Sequence, residues 1–281
     1  MKLILIMLVT MLISSIETVS YAARLSGAKT RRVGASTSIF NILVVLSRFA
    51  VMVQGLLIAS IVDHVIAINS KIIDPLIREQ NIQDMLVDFR VILLSMSVGI
   101  IIGILFTPSV ARIIAIGTLK LDKHGTVPRI VLNEGLFRTI SKLPSQIWLP
   151  SFRSNWREIK QSKLAYTFFT LNAAIFAFYS IASLSSLFAG ALIPDHRLTA
   201  NSMATLINGI GTVLLVIFVD PVSAKLLDDV VLEKEPMREL KAAVFQLGAG
   251  RLFGTLLGQL LLWPFGYFIK YFVIVFEKVF S

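Results

Sequence analysis

Six times along the chain there is a mostly apolar stretch of about 20 or more residues, each long enough to cross roughly 30 Å of hydrocarbon as an α-helix. The stretches fall at about 3–23, 38–62, 91–116, 164–189, 199–219 and 242–275. Such a chain has little choice of fold. In lipid every backbone polar group must be satisfied within the protein, which predicts an all-α polytopic bundle of six transmembrane helices, a single domain over 1–281. Composition agrees: 56% of residues are hydrophobic and 16% charged, against about 45–50% apolar and about 25% charged in soluble domains. The first stretch runs into SYAA, which resembles a signal-cleavage site. Its single lysine is a thin positive flank, however, and Glu17 is foreign to a leader, so it reads as a span. Pro264, inside the long last stretch, predicts a kink or a second, interfacial piece there.

The basic residues fix an expected orientation. Loop 24–36 carries Arg24, Lys29, Arg31 and Arg32, loop 220–241 carries another four Lys and Arg, and loop 117–163 carries nine. Those 17 face only seven on the opposite side, which predicts cytoplasmic basic loops and extracytoplasmic termini. The formal net charge of +10 therefore suits anionic lipid headgroups, and no nucleic-acid partner is expected. Within 117–163, Val127, Ile130, Leu136, Phe137 and Ile140 recur at near-helical spacing among basic residues, with Trp148 and Trp156 after them. This predicts an amphipathic segment in the cytoplasmic interface.

Polar residues inside the spans carry the functional signal. In the first span Ser14, Glu17, Tyr21 and Arg24 are spaced along one face. In the second, Asn41, Arg48 and Gly55 repeat every seven residues. An arginine at the bilayer centre costs about 2.5–3.5 kcal/mol on insertion scales, so Arg48 is expected to face the bundle interior with Glu17 as its partner. In the last span Gly250, Gly254 and Gly258 form a G-x-x-x-G-x-x-x-G ridge, with Arg251, Thr255 and Gln259 beside it. The fifth span adds Asn208 and Thr212, with Asp220 at its end. The sum predicts a hydrated cavity holding two arginines and one carboxylate.

Two other readings of these residues stay open. One is structural, an ion pair and small-residue packing that hold the bundle together. The other is an intramembrane enzyme. For that, the chain lacks cysteine, an H-E-x-x-H zinc pair, a phosphate loop and a G-x-S-x-G elbow, so no metal or other cofactor is expected. The transport reading favours an anionic amphiphile, because guanidinium donates bidentate hydrogen bonds to phosphate and keeps its charge.

The segments SSIETVSYAARLSGAKTRRVGAS, FNILVVLSRFAVMVQG and GRLFGTLLGQLL, in this order, resemble the Amj family of bacterial lipid II flippases, which correspond to MurJ in function and not in sequence. The resemblance implies a plasma-membrane transporter that moves lipid-linked peptidoglycan precursor to the outer leaflet. The resemblance assigns no residue roles; this chain's own polar residues predict that Arg48 and Arg251 bind the pyrophosphate, that Arg24 guards the cytoplasmic mouth, and that Glu17 pairs with Arg48 until loading. Asn41, Asn208 and Gln259 contact sugar or peptide, and Arg31 and Arg32 collect headgroups at the entrance. Two copies joined along the Gly250–Gly254–Gly258 ridge would enlarge the interior for so large a headgroup; packing within one chain is the competing use of that ridge.

Overall fold

The structure is a computed structural model describing residues 1–124, 162, 164 and 166–280. Nearly all of the described residues are helical, and no strand occurs among them. The elements are α1 (Lys2–Val19), α2 (Ala22–Thr30), α3 (Val33–Asn69), α4 (Pro75–His124), α5 (Tyr166–Leu192), a 3₁₀ turn at Pro194–His196, α6 (Arg197–Leu214), a π-helical turn at Leu215–Val219, α7 (Asp220–Val231) and α8 (Met237–Phe280). Six helical stretches are long and apolar enough to cross a membrane: Lys2–Thr30, Val33–Asn69, Pro75–Leu119, Tyr166–Leu192, Pro194–Val231 and Met237–Phe280. The expected architecture of a multi-pass membrane protein is thus present, with longer helices than the apolar stretches alone outline. α4, for instance, begins with the polar turns around Glu79 and Asp84 before its hydrophobic run.

Of the two outcomes expected at Pro264, the separate piece is absent: α8 runs without interruption from Met237 through Pro264 to Phe280. Lipid-embedded helices tolerate proline where neighbours hold the freed backbone. Gly266 sits hard against the Phe188 ring, and Trp263 and Tyr267 pack together at 4.9 Å between ring centroids. The amphipathic segment expected at 117–163 lies, beyond the end of α4, almost wholly outside the described residues.

Close packing in this bundle is made by small residues, as it must be where lipid tails remove the hydrophobic drive between helices. A Cβ on Gly254 would run into the backbone of Ala173 and Ala177 on α5, one on Gly258 would meet Ile181 and Ser180, and one on Gly250 would meet Asn172. The glycine ridge of α8 is therefore filled by α5 of the same chain, which leaves it unavailable as a seam between two copies. Gly99 and Gly103 do the same for α4 against α1, where added Cβ atoms would strike Met11 and Thr18.

The helices divide into centre and periphery. In its most apolar window α5 is 78% buried, whereas the windows of α3 and of the α6 stretch are each only 17% buried. α5 is the central post, clasped by α8 and α6; α3 lies along the outside, with Ile42, Val45, Phe49, Met52 and Leu56 exposed as a hydrocarbon-facing surface.

Overpacking a tight core site costs about 1–3 kcal/mol. Gly254→Ala is therefore expected to lower the detergent-solubilised melting temperature by several degrees. Gly209→Ala, where an added Cβ meets nothing within 4 Å, should leave it unchanged or raise it, since alanine gains up to about 1 kcal/mol of helix propensity over glycine.

Candidate functional site

The inner face of α1 is lined with hydroxyls that use their protons locally: Thr10, Ser14 and Thr18 each donate to the carbonyl four residues back, at 2.7 Å. This self-satisfaction leaves Glu17 as the strongly polar group on the inward side of α1. Its carboxylate accepts from two other helices. Arg251 of α8 forms an ion pair with one oxygen, and the Ser47 hydroxyl of α3 donates to the other at 2.8 Å. Arg251 is only 6% exposed, and its guanidinium lies 4.9 Å from the ring centroid of Phe176 on α5. Four helices thus converge on one charge pair.

The pair borders a cavity of about 100 Å³ whose lining includes Ser14, Glu17, Gln54, Tyr179, Asn208 and Arg251. Gln54 of α3 donates to Thr10 of α1, and the Asn208 side-chain oxygen of α6 is buried with no hydrogen-bond partner. Pockets that hold drug-sized ligands measure about 300–1,000 Å³, so passage of anything larger than a few waters requires the surrounding helices to separate.

A second polar cluster lies along α1–α2 from Glu17. Arg24 of α2 pairs with Asp220 at 2.9 Å, reaches Ser223 of α7 as well, and stands 5.7 Å from the Tyr21 ring centroid. A third is on the surface: Arg31, at the end of α2, pairs with Glu233, just beyond α7. These two are the non-glycine residues with positive φ among the described residues, at 56° and 61°. The pair closes two tight turns against each other, and as an exposed contact it contributes at most about 1 kcal/mol.

Measured against the expectations, Glu17, Arg251 and Asn208 do share one cavity. The partner of Glu17 is Arg251, not Arg48, and the cavity holds one arginine rather than two. Arg48 and Asn41 are exposed on the outer side of α3. The reason is a choice between adjacent stripes. Asn41–Arg48–Gly55 and Ser47–Gln54 both repeat every seven residues, about 100° apart around the helix. The small hydroxyl and amide stripe fits against α1, where a guanidinium would not. Gln259 is half-buried and donates to the Arg90 carbonyl of α4 at 3.0 Å, apart from the cavity lining. Arg32 is half-buried at the start of α3. Ser47, Gln54 and Tyr179 escaped notice in the sequence, although the Ser47–Gln54 repeat was there to be weighed.

The family model Amj, described as "Alternate to MurJ", matches residues 9–273. The chain belongs to the Amj family. It is 34% identical over 262 residues to a Bacillus subtilis (strain 168) protein named lipid II flippase Amj, covering 93% of each chain. No solved structure matches it. In this Amj-family chain the residues that unite α1, α3 and α8 are Glu17, Ser47 and Arg251, and the relative's name describes transport rather than catalysis.

Removing one member of a buried ion pair costs about 3–5 kcal/mol, because it strands the other charge. Glu17→Gln and Arg251→Gln are each expected to lower thermal stability markedly in detergent. The double variant Glu17→Gln/Arg251→Gln should regain most of the loss, which a double-mutant cycle of melting curves measures directly.

Proposed function

We propose that the protein is a lipid II flippase that carries the headgroup through the polar interior between α1, α3, α5, α6 and α8 while the polyprenyl tail stays in the bilayer. The observation that carries this reading is the buried Glu17–Arg251 pair on the wall of a cavity, in a family with a relative named for lipid II transport. Ionisable groups in the membrane interior are functional by default. Arg251 is the group suited to a diphosphate, since its planar fork matches two phosphate oxygens at once. Glu17 holds that fork until the anion displaces it, and so keeps an expensive charge compensated in both conditions. Asn208, with its unsatisfied oxygen, accepts from hydroxyl or amide groups of the headgroup.

The Arg24–Asp220–Ser223 cluster belongs, in this reading, to the cytoplasmic closure of the path. The orientation follows from the basic loops, with residues 24–36 and 220–241 in the cytoplasm and both termini outside. An impermeant maleimide should then label Lys278→Cys in intact cells and Lys29→Cys only after permeabilisation. The chain's own lack of cysteine makes the reading clean. Labelling of Lys29→Cys in intact cells would reverse the orientation.

The transport reading is tested in proteoliposomes with labelled lipid II in the inner leaflet and an impermeant reagent outside. The wild type is expected to bring the label out. Arg251→Ala should slow it by about tenfold or more, the worth of a hydrogen-bonded charge contact. No appearance with the wild type rejects the flippase reading. Equal appearance with both proteins removes Arg251 from the site.

A further inference from the structure

Arg48, an arginine inside the α3 span, has no part in the transport site. Arg48 is exposed on the outer side of α3, and no described residue pairs with it. The nearest charged residues along α3 are Arg32, 16 residues before it, and Asp63, 15 residues after it. At about 1.5 Å per residue both lie more than 20 Å away along the helix. Arg48 therefore sits well inside the hydrophobic run of α3. An arginine at such a depth calls for a cavity or an anion. The inside of the bundle is closed to it, because neighbouring Ser47 occupies that side and donates to Glu17.

The same hydrogen bond fixes its depth. Ser47 touches Glu17, and Glu17 holds Arg251, so Arg48 and Arg251 stand at one level, one outside and one inside. The stripe that carries Arg48 continues along α3 to Val51 and Gly55, and both of these line the cavity. A Cβ on Gly55 would meet nothing within 4 Å. Facing that opening is α6, whose Asn208 lines the same cavity with a buried, unpartnered oxygen and whose Gly209 also borders open space. Apart from the exposed Arg197–Asp63 ion pair at 3.2 Å near one end, α3 and α6 hardly touch each other, although both border the cavity.

We propose that the gap between α3 and α6 is a lateral portal into the cavity, and that Arg48 holds the phosphate of an anionic polyprenyl lipid there before it passes to Arg251. This rests on the flippase reading, which supplies the onward path. Depth selects the occupant: phosphates of ordinary phospholipids stay at the membrane surface, whereas a lipid whose headgroup is crossing brings its phosphate to the level of Arg48. Transfer from Arg48 to Arg251 is then a sideways step past α3, and the tail remains in the bilayer outside.

Met52, exposed one turn beyond Arg48, offers a reporter position in a chain without cysteine. A Met52→Cys protein carrying an environment-sensitive fluorophore, in zwitterionic nanodiscs, should show a saturable spectral change with undecaprenyl diphosphate and none with phosphatidylglycerol. Arg48→Gln in that background should raise the half-saturating lipid content by about tenfold, and Arg48→Lys should fall between the two. In the lipid II accessibility assay Arg48→Gln should slow transport at low lipid II and recover at high. An equal response to phosphatidylglycerol, unchanged binding and transport by Arg48→Gln, or crosslinking of Met52→Cys to a second copy would each overturn the portal. The two readouts separate the claims: absence of wild-type transport with an intact Arg48-dependent signal rejects the flippase reading while keeping the lipid site, and the reverse pattern rejects the site alone.

Discussion

A carboxylate and a guanidinium taken out of water demand each other, and this chain places one such pair where four helices meet. Glu17 and Arg251 come from opposite ends of the sequence, and their contact, with Ser47 added from α3 and Phe176 from α5, fixes the rotation of each contributing helix about its own axis. Apolar side chains alone would not do this, since a leucine facing lipid and a leucine facing a helix are nearly equal in energy. The pair also explains why α1 and α8 tolerate hydroxyls and glycines on their inner sides. Those small residues let the backbones come close enough for the charges to meet.

Around this centre the bundle is unevenly bound. α8 and α5 interlock through glycines against backbone, as do α4 and α1, whereas α3 and α6 lie on the outside with most of their side chains toward lipid. A transporter of a large headgroup needs both qualities. It needs a frame that keeps the binding groups in register, and walls that are cheap to move. The small cavity, of about 100 Å³, is consistent with loosely held walls closed over a polar site.

The spans were legible in the sequence because lipid leaves so few alternatives: six apolar runs became six helices, and the family resemblance carried by the first sixty residues and the last span held across 9–273. The inner polar site was half legible. Glu17, Arg251 and Asn208 were found because polar residues in apolar runs stand out. Their pairing was not, because each span offers more than one polar stripe and helical periodicity gives no absolute rotation. Arg48 looked the better partner for Glu17 on charge alone; the packing of α3 against α1 turned Ser47 inward instead. The use of the glycine ridge was likewise beyond the sequence, since a G-x-x-x-G face is the same whether its neighbour is α5 or another molecule.

The hydroxyls of α1 have a mechanical meaning. Thr10, Ser14 and Thr18 each spend their proton on their own helix, and Thr107, Thr118, Thr212 and Thr255 do the same on theirs. A wall built this way presents polar atoms that are already satisfied, so a neighbouring helix can slide past without leaving an orphaned donor in a medium that offers no water to replace it. What resists motion of α3 past α1 is then concentrated in two releasable ties, Gln54 to Thr10 and Ser47 to Glu17. The interior behaves less like glue than like a bearing, lubricated by its own backbone.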